Sequence, residues 1–211
     1  MDNLDLLKKD WKKQEKSIPQ LSYDELYKLI WKRSSSIVKW IFFISIIEFG
    51  LGAVLNIFIA DDEYWAKMEE YNLTLFLIIT YVVSYLVTFY FIYKFYKNYK
   101  AINATDSAAV LMKTILKVRK TVKYYIGFIL LSSGFVFIFS MIFILRNHIL
   151  TAETVTSNMS FDWKQWLLFI GGTLLALAVI LGVIWLIYTL VYGILLRRLH
   201  RNYKELKKLE M

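Results

Sequence analysis

Residues 165–204 read QWLLFIGGTLLALAVILGVIWLIYTLVYGILLRRLHRNYK. No charge interrupts the 32 residues between Lys164 and Arg197. A helix needs about 20 apolar residues to cross the hydrocarbon core of a bilayer, so this stretch spans one and runs on past it. The run ends in Arg197 and Arg198 with no Pro or Gly to stop the helix, so the same helix is expected to enter water at Arg201, Tyr203 and Leu206.

Three more stretches meet the same test: 37–60, 73–93 and 121–145, with the fourth span at 165–196. The chain of 211 residues is 58% hydrophobic, with a mean hydropathy of +0.47, 8 Gly, 1 Pro and no Cys. A soluble domain is nearer 45–50% apolar, so the excess belongs in lipid. The fold class is therefore an all-α membrane protein of four transmembrane helices. The absence of Cys excludes a disulfide scaffold, thiolate catalysis and cysteine metal sites. The first span follows 36 largely polar residues, too late for a cleaved signal peptide.

Lys and Arg set the orientation. Eight fall within 1–36, one at Lys39, eight within 94–123 and six within 197–211; elsewhere only Lys67, Arg146 and Lys164 occur. Both termini and the central segment are thus expected in the cytoplasm. The segments are an N-terminal helical part (1–36), a first hairpin (37–93), a basic amphipathic stretch (94–120), a second hairpin (121–196) and a basic tail (197–211). Loops 61–72 and 146–164 face out, the first with an acidic cluster. Trp65, Trp163 and Trp166 would anchor the outer interface, and Trp40, Tyr124 and Tyr125 the inner one.

Helices are expected to extend into the cytoplasm. Ser22 and Glu25 form a capping-box pattern, and no breaker follows until Gly50, with Ser34-Ser35-Ser36 as the weak point. Asp106 is placed to cap a helix that reaches Leu145, roughly 58 Å if unbroken. A short leading helix is expected around Leu4, Leu7 and Trp11. Leu26, Leu29 and Ile30 on one extension, and Leu111 and Ile115 on another, are apolar faces that must be covered. They read as docking surfaces for a cytoplasmic protein, and Leu26 and Ile30 are expected near Leu111 or Ile115.

The two hairpins resemble each other. A shift of 84 lays Val38-Lys39-Trp40 on Val122-Lys123-Tyr124, Gly50 on Gly134, and Glu48 and Asn56 on Ser132 and Ser140. A shift of 104 lays Lys97-Asn98-Tyr99-Lys100 on Arg201-Asn202-Tyr203-Lys204, and Ser84, Tyr85 and Thr88 on Tyr188, Thr189 and Tyr192. Both hairpins enter from the same side, which makes this a parallel tandem repeat.

Glu48 lies near the middle of the first span, where an acidic side chain is costly and functional by default. Gly52 and Asn56 follow it at four-residue steps. Thr80, Ser84 and Thr88 form a hydroxyl stripe on the second span, and Glu48 is expected to face it. Gly172 with Ala176, and Ala178 with Gly182, are small-residue pairs that allow close helix packing, within the chain or against a second copy. No metal or cofactor site is expected: His148 and His200 lie on opposite sides of the membrane, and no phosphate loop or nucleophile motif is present. The basic segments suit anionic lipid headgroups at the cytoplasmic face and not nucleic acid.

Residues 6–11, from Leu6 to Trp11, and Ser34-Ser35-Ser36-Ile37-Val38-Lys39-Trp40 resemble the start of small four-span membrane proteins encoded by Bacteroidetes. That resemblance implies a bacterial inner membrane. The carotene oxygenase chemistry associated with some of its members needs a multi-histidine iron site, which two histidines cannot build. The sequence thus points to a non-enzymatic membrane protein that docks a soluble regulatory partner, in the manner of a membrane-tethered anti-sigma protein. The alternatives are a small oligomeric transporter or channel using Glu48, and a membrane-disrupting effector.

Overall fold

A computed structural model describes residues 22–102, 107–155 and 162–209, with backbone alone for 148–155. The described residues are helical, without strands: α1 (Tyr23–Ile59), α2 (Asp62–Glu70), α3 (Thr74–Lys100), α4 (Ala108–Val155) and α5 (Trp163–Leu209). Four of them, all but α2, are long and apolar enough to cross a membrane. The expected leading helix and the Asp106 cap lie outside the described residues.

Local chemistry starts the helices where expected. Ser22 Oγ accepts from the Glu25 backbone N–H, and the Glu25 carboxylate accepts from the Ser22 N–H at 2.9 Å. That bond and the Ser22 hydroxyl hold the Glu25 carboxyl below its ordinary pKa. Ser107 takes the capping role before α4, its Oγ accepting from Val110 N–H. The triple serine does not break α1, because Ser34 is buried and bonded across to Asn202.

Two boundaries differ from the sequence reading. The acidic loop folds into α2, capped by Asp61, whose carboxylate accepts from Tyr64 N–H at 2.8 Å. Asn72, at φ 56°, turns the chain back into α3; Asn tolerates this left-handed conformation better than most residues. The third span, in turn, runs on through Arg146 and Asn147 to Val155. Forty-eight residues make α4 about 72 Å long.

The four long helices form a ring. α1 lies between α3 and α5, α4 lies between the same two, and α1 and α4 meet across the diagonal. Packing is concentrated at the end of the molecule that holds Tyr23, Lys100, Ala108 and Leu209. There, buried residues follow alternating steps of three and four: Ala108, Leu111, Ile115, Val118, Val122 and Tyr125 on α4; Phe91, Phe95 and Asn98 on α3, with Ile102 just past its end; Leu199, Asn202 and Leu206 on α5. This is the heptad spacing of coiled-coil seams. We call this part the stalk.

The stalk changes the meaning of the apolar faces. Ile30, Leu111 and Ile115 are buried in the common core and Leu26 packs against it, so these residues cover one another. Only Leu29 of the five stays outside, 40% exposed. The small-residue pairs also differ from expectation. Gly172, Ala176, Ala178 and Gly182 are exposed, and a Cβ added at Gly52, Gly172 or Gly182 would meet nothing within 4 Å. These residues make no close helix contact within the chain.

Candidate functional site

The stalk's seam does not stop where the spans begin; its residues become small. On α1 it continues from Ile41 and Ser45 to Glu48, Gly52 and Asn56. On α3, beyond Phe91, it reaches Thr88, Ser84 and Thr80, and on α4, beyond Tyr125, Ile129, Ser132, Val136 and Ser140. Side chains this short cannot fill the space between helices, and a cavity of about 760 Å³ opens there. Glu48, Asn56, Thr80, Ser84, Thr88, Ser132, Ser140 and Gly52 all line it. Ligand pockets commonly measure about 300–1,000 Å³.

Towards the stalk, the cavity ends on a packed aromatic layer. Phe91 and Tyr125 rings lie 5.3 Å apart and Tyr125 and Tyr192 rings 6.2 Å apart, above the buried Ile41 and Ser45. Towards the other end, Tyr64 and Met68 of α2 join the lining. Two polar pairs brace the walls: Asn56 Nδ2 donates to the Tyr85 hydroxyl at 3.4 Å, and the hydroxyls of Tyr64 and Tyr81 lie 3.4 Å apart.

Glu48 is held differently from the expectation. Its two oxygens accept from hydroxyls of α5, Oε1 from Tyr188 and Oε2 from Tyr192 at 2.9 Å. Thr80, Ser84 and Thr88 border the same cavity but do not hydrogen-bond to it. The direct partners were missed because tyrosines in an apolar span read as filler. Their signal was the four-residue spacing of Tyr188 and Tyr192, on the positions that align with Ser84 and Thr88.

The lining is rich in acceptors. Thr80 and Ser132 spend their hydroxyl protons on the carbonyls of Phe76 and Ile129, leaving oxygen lone pairs to face outwards. Among the described residues, no Lys, Arg or His lines the cavity. An anion would meet the Glu48 carboxylate with only the Asn56 amide and neutral hydroxyls as donors, whereas a cation would be matched by the carboxylate and the hydroxyl oxygens. Among the described residues, no group of three or more His, Cys, Asp or Glu is placed to hold a metal.

Four membrane-length helices around a cavity of mixed polar and apolar lining make this a multi-pass membrane protein. The chain belongs to the family of the domain of unknown function DUF8845, whose profile matches residues 24–211. No curated protein and no solved structure matches the chain.

Proposed function

We propose that this protein is a small transporter of a bacterial inner membrane that exchanges a proton for an apolar organic cation at Glu48. One observation carries the reading: Glu48, away from the ends of every span, is the single charged residue there, and it lies in the wall of a ligand-sized cavity with no cation of its own. A carboxyl group in that position holds either a proton or a bound cation, and swapping one for the other is the elementary step of coupled exchange. Phe49, Phe128 and Phe137 in the lining supply ring faces for a desolvated cation. The apolar faces that argued for a docked soluble partner are spent within the stalk, which leaves the cavity as the feature that calls for a ligand.

The distribution of Lys and Arg supports placing the stalk and both termini in the cytoplasm and α2 outside. The tandem repeat accounts for where the space lies. Between α1 and α5, Glu48, Tyr188 and Tyr192 fill the seam; between α4 and α3, their counterparts Ser132, Ser84 and Thr88 leave it open. Asn98 and Asn202, aligned by the repeat, each bond to the other half: to Thr121 Oγ1 at 3.4 Å and to Ser34 Oγ at 3.0 Å.

The test is proton-coupled uptake of tetraphenylphosphonium into liposomes holding the purified protein, with an internal pH dye. With the lumen acidic, native protein should carry the cation in as protons pass out in exchange, so that the internal pH rises with uptake. Glu48→Gln should bring both fluxes to the protein-free background while the protein elutes and melts as before. Undiminished flux in Glu48→Gln, or cation movement without protons, would overturn the proposal.

A further inference from the structure

A second cavity, of about 630 Å³, lies between α1 and α5 and is lined by Lys32, Arg33, Ser36 and Ile37 with Arg198 and Arg201. We propose that it binds the headgroup of an anionic phospholipid that carries two phosphates. This reading does not depend on what the larger cavity carries.

Charge is the first argument. Four cationic side chains from two neighbouring helices converge on one groove. The nearest recorded acid is Glu205, 3.8 Å from Arg201 and on the same helix. Among the described residues Lys32, Arg33 and Arg198 make no ion pair. Four cations gathered with so little countercharge repel one another, so the folded state gains when an anion enters. Arg33 and Arg198 can each present a planar fork to a phosphate, whereas Lys32 adds a point charge.

Depth is the second. Ile37 begins the apolar run of α1, and Leu196 ends that of α5, so the groove sits at the boundary between bilayer and water. Trp40, one turn farther along α1, is 57% exposed, as an interfacial anchor would be. A soluble anion would find the same charges, but Leu29 and Ile37 give the groove an apolar rim that suits glycerol and acyl chains. The phosphate-binding groups are also spread along the helices: the Arg33 guanidinium and the Ser36 hydroxyl, like Arg198 and Arg201, stand one turn apart, about 4.5 Å. Such spacing addresses two phosphates better than one.

The test is native mass spectrometry of the full chain in detergent, titrated with cardiolipin, phosphatidylglycerol, phosphatidylcholine or inorganic pyrophosphate. Cardiolipin should remain bound at one per chain, ahead of the other lipids, with pyrophosphate a poor competitor. The double variant Arg33→Gln/Arg198→Gln should weaken that binding about thirtyfold, at roughly a factor of five per cation. Lys207→Gln/Lys208→Gln, which removes the same charge at the end of α5, should leave it unchanged. Arg33→Lys/Arg198→Lys keeps the charge, protects against misfolding and should lose several-fold through the missing forks. Equal weakening by the first two double variants would reduce the effect to diffuse charge and overturn the proposal. So would phosphatidylglycerol binding as tightly as cardiolipin, or pyrophosphate displacing the lipid stoichiometrically.

Discussion

Asn202 donates from Nδ2 to Ser34 Oγ across 3.0 Å, with both residues buried in a seam made mostly of apolar side chains. Removing one member strands the other away from water, which costs about 1–3 kcal/mol. Asn202→Ala should therefore lower stability by that amount in thermal unfolding of the detergent-solubilised protein. Ser34→Ala combined with Asn202→Leu should recover most of it. Two residues earlier on α5, His200 accepts at Nδ1 from Arg119 Nη1 at 2.8 Å, so the imidazole is neutral. Partial loss of water, then the charges of Arg119 and Lys204, hold its pKa below the ordinary 6.5. The unfolded chain thus takes up a proton more readily than the folded one. The contribution of His200 to stability is complete above pH 6.5 and is lost as pH falls through the lower folded value. A melting-temperature series from pH 8 to 5 should fall more steeply for the native protein than for His200→Asn. At this scale the sequence was readable where chemistry is local. Ser22 and Glu25 declare a cap three residues apart, and Glu48 declares itself by its cost in lipid. The tyrosines that hold Glu48 lie 140 and 144 residues away, and no local pattern names them.

In α4, two kinds of apolar residue look the same in sequence. Val110, Leu111, Ile115, Leu116 and Val118 all belong to an apolar stretch, but only Leu111, Ile115 and Val118 point inwards; Val110 and Leu116 are exposed. Steps of three and four keep a straight seam, while adjacent residues fall about 100° apart on a helix. Ile115→Ala should cost about 2–5 kcal/mol in chemical unfolding, as buried aliphatic truncations do. Leu131→Ala, at a residue 77% exposed in the membrane part, should stay within about 0.5 kcal/mol. Equal effects at the two sites would mean that the stalk is not where the helices are joined. The far end of α4 was misread for a physical reason. Hydropathy reports where lipid ends, and Arg146 and Asn147 mark that level, but a helix needs no lipid to continue.

The whole chain divides into a tightly joined stalk and loosely joined spans. The proposed orientation rests on the distribution of Lys and Arg, so reporter fusions at Lys67 and Glu153 should both read as external, and a cytoplasmic signal at either would reverse that topology. Sequence gave access to the number of spans and to the polar residues that surround the large cavity, because both follow from composition along single helices. That Leu26 and Ile30 meet the face of Leu111 and Ile115 was expected from the apolar spacing, whereas the share that α3 and α5 take in the same core was hidden, since which helix stands beside which is a property of the assembled ring. One feature of that ring reaches further. The seam is unbroken from Leu206 to Tyr192, and the next contact above Tyr192 is Glu48 itself. The carboxyl group is therefore the top tooth of a zipper whose lower teeth are the stalk. A change in what Glu48 holds would work directly on the topmost closure and pass downwards tooth by tooth, so a pair of fluorophores at the tips of the stalk would gauge the state of a carboxyl group far along the bundle.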